Sequence, residues 1–183
     1  MTTYILDIET DSLDPTVIWC VVLKELNKPG CTTITRASDL SFLTSDDVFI
    51  THNGIDFDIF NLNRLWNTRI KVVQVYDTYL MSRLFDPNRE GGHALGSWGE
   101  RLGFKKMEFE NYTSFSEDME KYCIRDVQLT EKVYNKLALE GSNFSKRSIR
   151  LEHKIQHIIS TQSRHGFYLN REKAEDLWAE TLG

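Results

Sequence analysis

The sequence predicts an α/β domain on a mixed five-stranded sheet flanked by helices, with a C-terminal helical extension. Three observations predict it: short β-prone apolar runs fill the first half, helical periodicity dominates the second, and a helical stretch separates two of the strands. The first run, residues 4–9, is interrupted at period two by Asp7 and Glu9, so a strand there carries both acids on one face. A turn around Asp14-Pro15 leads to an apolar strand over 17–23, and the turn Asn27-Lys28-Pro29-Gly30 to a third strand over 32–35. These three read as an antiparallel meander. A fourth strand is expected over 48–51, then a helix carrying Phe57, Phe60, Leu62 and Leu65, then a fifth strand over 71–75. Helices are expected over 78–84, over 94–102 with Gly103 as stop, and over about 116–139, the last with Ser114 and Glu117 at capping-box spacing.

Residues 1–145 thus form one domain, and 146–183 a segment of another kind. Ile149, Ile155, Ile158 and Ile159 mark a helical stripe over 148–165 that stops at Gly166; residues 167–169 suit a short strand, and Asn170 caps a last helix running on to Gly183. A chain that stops at or just after an amphipathic helix is expected to be an excised piece, or a protein that docks onto something else.

Composition narrows the function. Of 183 residues, 40% are apolar and 27% charged, as in an ordinary globular domain. Lys and Arg number 22 against 27 Asp and Glu, a net charge of −5, which excludes a histone-like or polybasic nucleic-acid binder. Cys20, Cys31 and Cys123 form no CxxC pair, so neither a zinc knuckle nor a disulfide framework is indicated, and a reduced, cytoplasmic setting is expected. The longest apolar run, 17–23, is far short of a membrane span, and no signal-peptide pattern opens the chain.

Three carboxylate constellations carry the chemistry. Asp7-x-Glu9 is costly on an inner strand face unless a hard divalent cation joins it, the donor type that Mg²⁺ phosphoryl-transfer sites need; an exposed strand-end pair is the alternative. Asn53-Gly54-Ile55-Asp56-Phe57-Asp58 puts Asp58 in a helix's first turn, where simple capping also explains it. Tyr122 and Asp126, four apart, share a helix face, although Asp126 could also pair with Arg125 or face solvent.

In this order, DxE, N-x₃-F-D and Y-x₃-D resemble the three motifs of the DEDD exonuclease superfamily, and Tyr122 points to its DEDDy branch; the histidine branch would need His where Lys121 stands. Residues 6–14 look like the opening of the proofreading domain of family A DNA polymerases, most like those of short-tailed bacteriophages. His52-Asn53-Gly54, Tyr76-Asp77-Thr78, Gly92-His93-Ala94-Leu95 and Trp98-Gly99 extend the match, and residues 151–170 resemble the connection to the polymerase domain. The resemblance implies a ribonuclease H-like fold and a proofreading 3′–5′ exonuclease that releases nucleoside 5′-monophosphates from single-stranded or frayed DNA 3′ ends. It implies two divalent ions, Mg²⁺ with Mn²⁺ able to substitute, held by Asp7, Glu9, Asp58 and Asp126, with Tyr122 orienting water. Thr10, Leu13 as an apolar wedge and Asn53 are the implied DNA contacts, with Phe109 either a second stacking side chain or a core phenylalanine; Arg101, Lys105 and Lys106 could touch the DNA backbone or form a solvated charged surface, whereas His52, His93 and Asp77 are assigned to packing and hydrogen bonding. The implied partners are a single-stranded DNA 3′ end and a DNA polymerase, in the same chain if this one is truncated and separate if split. The implied location is the host bacterial cytoplasm. Ribonuclease D-like RNA trimming and a catalytically silent scaffold are the alternatives.

Overall fold

The computed structural model describes residues 1–182. Strands β1 (Thr3–Thr10), β2 (Ile18–Glu25), β3 (Thr32–Ile34), β4 (Val48–Thr51) and β5 (Val75–Asp77) form one sheet in the order β3-β2-β1-β4-β5. β1 is antiparallel to β2 and parallel to β4, and β4 is parallel to β5, so the sheet is mixed as expected. Helices α1 (Asp58–Leu65), α2 (Thr78–Phe85), α3 (Leu95–Arg101), α4 (Glu117–Glu140), α5 (Lys146–His165) and α6 (Arg171–Leu182) account for most of the rest.

Alternation along β1 separates two cores. Leu6 and Ile8 join Val21, Leu23, Phe49, Ile59 and Leu62 on the α1 side. Ile5 joins Cys20, Val22, Ile50 and the α4 residues Met119, Cys123 and Val127 on the other. Asp7 and Glu9 therefore share the face of Ile5 and meet α4, which is how two acids arrive beneath a helix. Between Glu9 and Thr10 the β1–β2 register shifts, a bulge that breaks strict pairing where the acids end.

A third cluster, with Met81, Trp98, Leu129, Val133 and Ile149, binds α2, α3 and α5 to α4. The expected division at 145/146 falls just before α5, and α5 packs on the sheet domain through Ile149, His153 and Ser160. Beyond that face α5 exposes Ile158 and Ile159, and Phe167, Tyr168, Leu177 and Trp178 stand in solvent.

Three local expectations are corrected. Residues 72–74 form a 3₁₀ turn and the fifth strand starts at Val75, because the Gln74 amide donates to the Asp47 carbonyl (3.0 Å) and accepts from Lys71 N (3.0 Å), closing the turn. Ser116, not Ser114, caps α4, its hydroxyl accepting from Met119 N at 3.1 Å. Residues 167–169 have no strand partner and are exposed. Arg101, which donates to the carbonyls of Glu90 and Gly92, and Lys105, which pairs with Glu100 at 3.3 Å, lie on the surface outside the cavity described below. The end of the last helix at Gly183 lies outside the described residues.

Candidate active site

The loop from β4 into α1 is built by backbone demands. Asn53 adopts a left-handed φ of 64°, and a Cβ on Gly54 would sit 2.4 Å from the Thr51 side chain, so only glycine lets the chain turn here. Asp77, at the end of β5, holds the loop: its carboxylate accepts from Asn53 N (2.9 Å) and Ile55 N (3.2 Å) while capping α2 through Tyr79 N (3.0 Å). The loop delivers Asp58 as the first residue of α1, where its Oδ1 accepts from Ile8 N at 3.1 Å, across the sheet from its own element. On the far side, α4 brings Tyr122 and Asp126 over β1.

These elements enclose a cavity of about 490 Å³. All four acids and Tyr122 line it, as do Thr10, Leu13 and Asn53. Leu13 is 92% exposed at its rim. Phe109 does not line it; its ring stacks on Tyr122 (centroids 5.4 Å apart) and packs in the α4-side core, the core placement that an apolar side chain takes when it can. His93 bonds Ser82 Oγ at 2.8 Å and does not line the cavity, whereas His52, whose Nδ1 bonds Thr78 Oγ1 at 2.8 Å, does line it and has its Nε2 buried without a partner.

Three residues that sequence reasoning did not place in the site belong to it. Cys123 donates its thiol to Asp7 Oδ2 at 3.4 Å, and the ligand atoms of Asp7, Glu9 and Cys123 lie within 4.8 Å of one another. Tyr112 lines the cavity from the stretch before α4. Lys106 Nζ donates to Asp126 Oδ2 at 2.6 Å and to the Tyr122 hydroxyl at 2.7 Å. Only Cys123 had a positional signal, three residues before Asp126 on the same helix.

Burial raises every acid of the group. It pushes Glu9 up to about 8, with Asp126 adding to the effect, and Asp58 up to about 7. Asp7 lies well above the usual carboxylate range through burial and then the repulsion of Asp58, Asp126 and Glu9. Asp126 is raised by burial against the pull of Lys106, and its Oδ1 is buried without a hydrogen-bond partner. Burial likewise raises the Tyr122 phenol, which stays protonated at neutral pH. Crowded oxygen donors that resist ionisation, one of them orphaned, fit a hard divalent cation, which supplies the missing positive charge.

No family model matches the chain. In sequence it is 23% identical over 191 aligned positions to the DNA-directed DNA polymerase of Escherichia phage T7, a match covering 73% of this chain and 27% of the polymerase. The chain therefore spans about a quarter of the length of the curated relatives it matches. In fold it is similar to Brucella melitensis NrnC with bound Mg²⁺ (TM-score 0.71, 17% identity, 90% of this chain and 86% of that one). It is also similar to Escherichia coli RNase D, an exoribonuclease involved in structured RNA processing (TM-score 0.62, 14% identity, 85% and 45%). The fold is the ribonuclease H-like α/β fold, and the chain resembles a DEDD-type 3′–5′ exonuclease domain.

Proposed function

We propose that the chain is a metal-dependent DEDDy 3′–5′ exonuclease that removes nucleoside 5′-monophosphates from single-stranded or frayed DNA ends, proofreading for a phage-type DNA polymerase. The observation that carries this reading is the convergence of Asp7, Glu9, Asp58 and Asp126 with Tyr122 in one cavity. Asp7, Glu9 and Asp126 would hold one Mg²⁺ or Mn²⁺, and Asp7 with Asp58 a second. When bound, such ions polarise the phosphate and lower the pKa of water.

The chain's own groups do the rest. The protonated Tyr122 hydroxyl and the Glu9 carboxylate orient a water for in-line attack on phosphorus. The water oxygen forms the new P–O bond as one of its protons passes to solvent, the P–O3′ bond breaks, the 3′ oxygen takes a proton from solvent, and the terminal nucleotide departs as a 5′-monophosphate. Leu13, exposed at the rim, is suited to stack against the terminal bases, with Thr10 and Asn53 beside the last nucleotide. A recessed site of this kind needs an unpaired end, which is what a mismatch supplies. Residues 146–183 serve as the connection to a polymerase domain or subunit, in keeping with the phage polymerase likeness.

The test is the degradation of matched 5′-labelled DNA and RNA oligonucleotides with Mg²⁺. DNA shortened faster from its 3′ end supports the assignment; faster loss of RNA overturns it in favour of RNA trimming, and loss of neither leaves the scaffold reading.

A further inference from the structure

One cation is built into the cavity. Lys106 lies in the irregular stretch between α3 and α4, and its ammonium stands between Asp126 Oδ2 (2.6 Å) and the Tyr122 hydroxyl (2.7 Å), 4.8 Å from the Tyr122 ring centre. Among the described residues no other Lys or Arg forms an ion pair with Asp7, Glu9, Asp58 or Asp126. The backbone around Lys106 is tied down independently. Arg125 Nε donates to the Lys105 carbonyl at 2.9 Å with its guanidinium 3.3 Å over Phe104, and Trp19 Nε1 donates to the Tyr112 carbonyl at 2.9 Å. The strap stays in place without the ammonium, and the flexible lysine stem lets the head withdraw while the main chain stays put.

The ammonium satisfies Asp126 on one oxygen only. The other, Oδ1, is buried and unpartnered, so the residue is half-saturated by a monovalent, directionally undemanding cation. We propose that Lys106 is a resident counter-cation of the acid cluster, displaced from Asp126 when a divalent ion bridges that residue, and that it thereby sets the metal affinity of the site. This rests on the reading of the four acids as metal ligands. Two like-signed groups on one carboxylate repel each other, so a divalent ion taken up at the unpartnered Oδ1 weakens the hold of the ammonium on Oδ2 and drives it off. Removing the lysine charge both frees Asp126 and leaves the cluster more negative, and both changes favour the metal.

Calorimetric titration of the full chain with Mn²⁺ tests this without reference to turnover. Lys106→Met, which keeps the stem over Tyr122, is expected to bind Mn²⁺ about tenfold tighter than wild type. Lys106→Gln, which keeps a hydrogen-bonding head without the charge, should also bind tighter, and Lys106→Arg should resemble wild type. A merely structural lysine would give unchanged or weaker binding in the Met and Gln variants, and that result overturns the inference. Should Asp7→Ala/Glu9→Ala abolish binding while the Lys106 variants match wild type, the inference falls and the metal-ligand reading stands. Absence of Mn²⁺ binding in wild type and Lys106 variants alike overturns both.

Discussion

Asp77 and the cavity acids are carboxylates at or near the sheet, all buried but the half-buried Asp7, yet they are treated in opposite ways. Asp77 is met by four backbone N–H groups, from Asn53, Ile55, Tyr79 and Leu80, and sits at the N-terminus of α2. Burial still raises it, but those donors hold it at about 6, so it is charged at neutral pH. Asp58, with Ile8 N and its own backbone as donors, rises to about 7, and Glu9 to about 8. A buried acid saturated by main-chain donors fastens loops together; a cluster of acids left short of donors is arranged for something the chain does not itself provide.

The contrast can be broken experimentally. The largest expected effect is on Asp77→Ala, which orphans loop and cap donors at once and should cost about 3–5 kcal/mol in a urea melt. Next is the pH dependence of the metal-free protein. The unfolded chain releases the Glu9 and Asp58 protons at ordinary carboxylate pH, whereas the folded chain keeps them until about 8 and about 7. Between these limits the folded state binds more protons, so stability falls as pH rises, by about 2 kcal/mol or more from pH 5 to 8 in chelator, and saturating Mg²⁺ should flatten the curve. Stability that rises over that range would deny that burial in the folded state holds protons on Glu9 and Asp58.

A smaller change is expected from Asp58→Asn, whose amide oxygen can still accept from Ile8 N. At pH 8 without metal it should gain about 1 kcal/mol, the reverse sign to Asp77→Ala. The smallest stability effect belongs to Leu13→Ala, within about 0.5 kcal/mol of wild type because the side chain is already in solvent. Its consequence should appear as a raised KM for single-stranded ends.

What the sequence made legible follows this division. The strand bearing Asp7 and Glu9 and the helix bearing Tyr122 and Asp126 have strong local periodicity, and the order of the motifs along the chain is enough to group their acids. Lys106 and Tyr112 lie in a stretch without periodicity, and only long-range ties through Arg125 and Trp19 decide where that stretch runs. The 3₁₀ turn at 72–74 depends on Gln74 reaching the Asp47 carbonyl, and the seating of α5 on His153 Nε2 accepting from Asp77 N at 2.7 Å. Such tertiary hydrogen bonds leave no spacing for a sequence to display. Phe109 shows the same limit: the sequence left a DNA contact and a core position both open, and the rings of Tyr122 and Tyr112 hold it half-buried against the core.

The central claim is that the donor-poor acids form a metal-dependent hydrolytic site. The most direct test is mononucleotide release from single-stranded DNA labelled in its 3′-terminal nucleotide, with and without Mg²⁺, by wild type and Asp7→Ala/Glu9→Ala of equal or greater melting temperature. Wild type is expected to release the 3′-terminal nucleotide only with Mg²⁺, and the variant to lose at least about a hundredfold in rate. Undiminished release by the variant, or release by wild type that ignores Mg²⁺, would contradict it.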